Sequence, residues 1–154
     1  MILIILYHLF FLLIYVALIV ASLTGRLPGS LIEHHQPFFC ILAGGFGGSI
    51  YCLRGVYLNV CVYKQWDPSW RPWYYLRPII SLCCGLVSFI FLKAGLLALN
   101  ADLKQGSNFW GFYALAFIAG LNVDRFVEKI EGLAQATWGI ERSRTANRSD
   151  NKKE

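Results

Sequence analysis

The stretch PFFCILAGGFGGSIYCL, Pro37 to Leu53, decides the fold. Its seventeen residues include no Asp, Glu, Lys or Arg, and Gly44, Gly45, Gly47 and Gly48 crowd its middle. An apolar run of this kind reads as a membrane span. Between spans there is no hydrophobic drive, so close backbone approach at small residues supplies the packing. Gly44 and Gly48 form a G-x-x-x-G pair on one helix face. Arg54 interrupts the run, and a further apolar piece carries the predicted span to 37–62. The guanidinium of Arg54 is expected at the membrane face, reaching the headgroups along its own stem.

Three more apolar stretches flank this one. Met1 to Gly25 carries no charge and predicts a span over 2–24. With nothing basic ahead of Ile2 and a run too long for a signal peptide, it reads as a retained anchor. Residues 78–99 are apolar except for Lys93. Residues 105–123 are nineteen uncharged positions, enough for roughly 28 Å at helical rise. Over 154 residues the chain is 56% hydrophobic and only 15% charged, against about 25% charge in soluble domains. That balance excludes a conventional soluble enzyme, a disordered chain and a disulfide-stapled secreted module. The expected fold is an all-α polytopic membrane protein with four transmembrane helices and a cytoplasmic amphipathic helix.

Charge sets the orientation. Arg54, Lys64, Arg71 and Arg77 border the connection after the second span, and seven more Lys and Arg follow the fourth. Eleven of the fourteen basic residues therefore share one side, leaving Arg26 and Lys104 opposite and Lys93 within a span. The positive-inside rule then places both termini in the cytoplasm. The segment WDPSWRPWYYLR, Trp66 to Arg77, fits the same scheme. Trp66, Trp70 and Trp73 are amphipathic rings suited to headgroup depth, interleaved with Arg71 and Arg77. Pro68, Pro72 and Pro78 argue against one continuous helix there. An interfacial belt is the better reading of these aromatics than a nucleic-acid platform, and no direct nucleic-acid partner is expected.

Small-x-x-x-small spacing recurs at Ser81/Gly85 and Ala116/Gly120. Together with Gly44/Gly48 these positions predict helix packing within the bundle, oligomerisation between copies, or both. Lys93 lies about 22 Å along its helix from Pro78. It either snorkels to the outer headgroups or lines a polar interior, where a ring of lysines would favour anions. His8 sits inside the first span and reads as a neutral hydrogen-bonding imidazole or a proton relay; no second span supplies a facing histidine for haem. Glu33, His34 and His35 are adjacent, which is poor metal-ligand spacing. The five cysteines lie in or beside spans as small core residues. No metal, cofactor or catalytic motif is indicated.

Beyond the fourth span, Val123, Phe126, Val127, Ile130, Leu133, Ala134, Trp138 and Ile140 mostly follow steps of three and four. They form the apolar face of a helix over 124–140, lying on the inner leaflet or bundling with its copies. Residues 141–154 turn polar and read as a disordered tail.

Three segments carry a resemblance: GGFGGSIYCLRG (Gly44–Gly55), WYYLRP (Trp73–Pro78), and LKAGLL with FYALAFIAGLNVDRFVEKIEGL toward the end. Together they resemble small bacterial four-span inner-membrane proteins with a glycine-rich span, an Arg-Pro-led span and a closing amphipathic helix. The resemblance implies a bacterial inner-membrane location and no assigned activity. By architecture alone, compact proteins of this type include effectors triggered by cytoplasmic sensors. The expected function is non-enzymatic: an oligomeric membrane effector or pore component in the lipid bilayer, controlled by a cytoplasmic partner through 124–154. The alternatives are a small channel or transporter subunit using Lys93 and His8, and an anchor recruiting a soluble enzyme.

Overall fold

The computed structural model describes residues 1–26, 35–96 and 110–140. Among these residues the chain is all-helical. Helix α1 spans Ile2–Leu23, α2 His35–Tyr57, α3 Arg71–Lys93, α4 Trp110–Leu121 and α5 Val123–Trp138. Three helical segments are long and apolar enough to cross a membrane: Ile2–Ser22, His35–Val62 and Pro68–Lys93. The fourth expected span is described from Trp110, as the twelve residues of α4. Residues 105–109 and the expected polar tail 141–154 lie outside the described residues, as do Glu33, His34 and Lys104.

Each helix ends for a local reason. Thr24 folds its hydroxyl back onto the carbonyls of Val20 and Ala21, and Gly25 follows with a positive φ of 67°. Helix α2 loosens into a π-helical turn at Leu58–Val62. Lys64, at φ 52°, then stops it, with the Gln65 N–H donating to the Asn59 carbonyl at 2.9 Å. Pro68 opens a one-turn 3-10 helix, and Pro72 occupies the first turn of α3, where no N–H donor is needed. Pro78 lies inside α3, which runs through it; the helix thus begins seven residues before the expected start of the third span. At Asn122 the backbone leaves helical values (φ −122°, ψ 55°), separating α4 from α5.

Helix α2 is the centre of the bundle, and its glycines decide what surrounds it. A methyl group on Gly44 would fall 2.8 Å from the Gly85 Cα of α3. One on Gly47 would meet the Phe117 carbonyl of α4, and one on Gly45 would lie 2.7 Å from the Tyr15 hydroxyl of α1. Gly120 completes the set, its Cα side against the Gly44 carbonyl. The three small-residue pairs therefore converge on one α2–α3–α4 junction. Ser81, wholly buried, donates its hydroxyl to the Gly120 carbonyl at 3.1 Å. That carbonyl belongs to the last turn of α4, where acceptors lack intrahelical partners.

Ring contacts fix the register. Phe39 meets Tyr113 and Phe46 meets Phe117, so α4 runs parallel to α2. Phe89 meets Phe112 while Arg77 reaches Asp124, so α4 and the start of α5 run against α3. Ile4, Cys52, Val56 and Tyr74 cluster where α1 begins. One end of the bundle thus gathers the start of α1, the 63–70 connection and the start of α5; Lys93 marks the other. Val123 and Phe126 of α5 are buried with Cys84 and Ala119, so its first turns dock on this chain's own helices. Val127, Trp138 and Ile140 are exposed.

Candidate functional site: a buried arginine beside an aromatic cleft

Among the described residues Arg77 is the most deeply buried charged one, with 3% of its side chain exposed. The sequence places it at the membrane interface; the fold seats it between helices. Trp73 lies one turn before it on the same face of α3, and Tyr51 approaches from α2. The guanidinium carbon lies 4.8 Å from the Tyr51 ring centroid and 5.0 Å from that of Trp73. A planar, delocalised cation is held well by such rings, because their electron-rich faces attract it while guanidinium is only weakly hydrated. Nη1 donates to Asp124 Oδ2 at 3.0 Å, and that carboxylate is 77% exposed. Nε and Nη2 are buried without an acceptor. Beside the apolar docking of Val123 and Phe126, α5 is thus tied to the bundle by an ion pair on an incompletely satisfied cation. Losing Asp124 would strand a buried charge.

The same two rings form a wall of a cleft of about 720 Å³ at this end of the bundle. Trp66 stacks on Tyr74 at 5.7 Å, and Trp73 meets Tyr74 edge-on at 5.0 Å. Trp70 closes the aromatic side, 6.4 Å from Trp73. Arg54 and Asp67 bring opposite charges to the lining. The Ser69 N–H donates to Asp67 Oδ1 at 2.9 Å and holds that carboxyl below the usual carboxylate range. Asn59 donates its amide to the Tyr74 hydroxyl at 3.3 Å, which leaves its own carbonyl oxygen as an acceptor. Arg54, Trp66, Trp70 and Trp73, separated by up to nineteen positions, thus share one cleft.

His8 is wholly buried, and neither ring nitrogen makes a hydrogen bond of ordinary geometry. Its imidazole approaches the Tyr74 main-chain carbonyl. The reason lies in α3: Pro78 has no N–H, so the carbonyl four residues earlier loses its helical donor. Tyr7, beside His8, donates to the neighbouring Tyr75 carbonyl at 3.2 Å. Helix α1 therefore docks on the turn that Pro78 opens. Two turns further along α1, the Tyr15 hydroxyl faces the Ser49 hydroxyl of α2, both buried and neither with a hydrogen bond of ordinary geometry.

Lys93 stands apart from all of this. It is exposed at the end of α3, with Nζ 5.7 Å from the Phe89 ring centroid. Tyr74 is about 28 Å back along the same helix, so Lys93 and His8 share no site. Gly44, Gly48, Ser81, Gly85, Ala116 and Gly120 meet within one chain. Among the described residues no three His, Cys, Asp or Glu side chains gather as a metal site, and the five cysteines are free thiols. The sequence reading missed Asp124 as a partner. The available signal was its position as the first charge after the fourth apolar stretch, with Arg77 the last charge before the third. No family model matches the chain, and neither a curated protein nor a solved structure matches it.

Proposed function

We propose that this chain is a non-enzymatic bacterial inner-membrane effector whose cytoplasmic helix α5 passes a partner's binding to the membrane bundle. In this reading four helices span the bilayer, α4 belonging to the fourth. The Arg77–Asp124 pair carries the proposal. It is the ion pair that joins α5 to the bundle, and it holds a cation that is otherwise short of acceptors. Separating α5 strands that charge, so a partner pulling on α5 drives the bundle toward another arrangement. The exposed Val127, Trp138 and Ile140 give such a partner apolar contacts.

Orientation is supported by charge. The end of the bundle holding the 63–70 connection and α5 is also the end where most Lys and Arg fall, which favours the cytoplasm. The output is a change in permeability by an oligomer assembled through surfaces other than the α2 glycines, which the chain's own helices cover. Proteoliposomes loaded with a small fluorescent dye test this. Asp124→Asn and a chain ending at Asn122 should each change leakage about tenfold relative to wild type, the scale set by losing one charge-assisted hydrogen bond. Leakage equal in wild type, both variants and empty liposomes removes the effector reading and favours a static anchor.

A further inference from the structure

The geometry points to the aromatic cleft as a binding site for the headgroup of a zwitterionic phospholipid with a primary amine, its phosphodiester on Arg54 and its ammonium between Asp67 and the tryptophan rings. This rests on the membrane-spanning reading of α2 and α3, and not on any role for α5.

Depth is the first reason. The uncharged part of α2 ends at Leu53, so Arg54 marks the edge of the hydrocarbon layer. From Arg54 to Val62 the helix continues for about 12 Å at helical rise, the scale of the headgroup layer, and the cleft opens along it. A phospholipid's phosphate lies deeper than its amine. Arg54 is correspondingly the deeper charge and Asp67, beyond the helix end, the outer one. A ligand with a single charge would leave one of the two unused.

Chemistry is the second reason. Tryptophan and tyrosine faces attract an ammonium group at the cleft wall. A quaternary ammonium would be content with the rings alone. Here the lining also presents acceptors: the Asp67 carboxylate, ionised at neutral pH, and the Asn59 carbonyl oxygen left over from its bond to Tyr74. Three N–H donors on a primary amine match those acceptors, and a choline headgroup cannot. Guanidinium offers the phosphodiester a paired set of donors. Tyr51 and Trp73 serve both the cleft and Arg77, so an occupied cleft would stiffen the rings that hold the α5 anchor.

The full chain in nanodiscs containing equal parts ethanolamine, choline and glycerol phospholipids tests this by native mass spectrometry of the lipids it retains. The expected result is about tenfold retention of the ethanolamine lipid over the other two, one charge-assisted hydrogen bond's worth of discrimination. Asp67→Asn should erase the preference over the glycerol lipid, and Arg54→Gln should lower retention of all three. Asp67→Glu and Arg54→Lys should restore each in part. Both side chains are exposed, so the fold is not at stake. Equal retention of the three lipids, or a preference that survives both neutral variants, overturns the proposal. So does saturation by soluble glycerophosphoethanolamine without any lipid enrichment, which would make the ligand a free metabolite. Failure of the chain to enter nanodiscs would instead overturn the membrane reading beneath it.

Discussion

Two regions of this bundle pack in opposite ways. At the α2–α3–α4 junction, backbones touch: Gly44, Gly85 and Gly120 leave no room for a methyl group, and the polar Ser81 is hydrogen-bonded to a carbonyl. At the end where α1, α2 and α3 meet, bulky rings separate the backbones. There His8 and two nitrogens of Arg77 are buried without a hydrogen bond of ordinary geometry. The first region leaves no slack between backbones. The second carries unmet hydrogen bonds in a low-dielectric setting, where such groups are expensive. A polar group that a second arrangement or a ligand could satisfy marks where a structure responds. The junction is the frame and the aromatic end is the responsive part.

Substitutions that break this contrast should rank accordingly. Gly120→Ala should be the most damaging, because its methyl meets the Gly44 backbone rather than a flexible side chain. A loss of about 3 kcal/mol or more is expected, seen as a large drop in detergent melting temperature. Near-wild-type melting would show that the helices can move apart at the junction. Asp124→Asn should cost about 1 to 3 kcal/mol, less than a fully buried pair because this carboxylate faces solvent. Replacing Arg77 by Met in the same background should recover much of that, since the stranded charge is then gone; a double-mutant cycle measures it. Ser81→Ala should cost about 1 kcal/mol, within the range for interhelical hydrogen bonds in bilayers.

Two smaller expectations sharpen the comparison from the other side. His8→Leu removes two nitrogens that lack a hydrogen bond of ordinary geometry and gives up only the loose approach to the Tyr74 carbonyl, so melting should change little. A marked loss would mean that the imidazole has a partner that completes it in the folded membrane protein. Lys93→Met, at the exposed far end of α3, should change stability by less than about 0.5 kcal/mol and leave dye leakage unchanged.

Much of the frame was legible in the sequence. Span length and charge-free composition need no tertiary information, and small-x-x-x-small pairs announce close approach wherever they occur. Four glycines at 44, 45, 47 and 48 point around the helix, which already requires several neighbours. Their assignment to α1, α3 and α4 was not legible, because spacing names a face and not its occupant. The burial of Arg77 was not legible for a related reason. A basic residue beside Pro78 at the start of an apolar run looks interfacial. Its burial depends on Tyr51, twenty-six residues earlier, and on Asp124 far downstream. The one local hint was Trp73, one helical turn before it. Pro78 was read as a helix breaker, whereas Tyr7 and His8 of α1 occupy the turn it opens, as neighbouring helices do for prolines within membranes.

Hydrogen–deuterium exchange on the full chain in nanodiscs, comparing wild type with Asp124→Asn, tests the coupling most directly. The expected result is faster exchange over Val123–Ile130 and in the Trp73–Arg77 turn, with protection at Gly44–Gly48 unchanged. Unaltered exchange in α5, or loss of protection spreading evenly through the glycine junction, would contradict a latch set on a rigid frame.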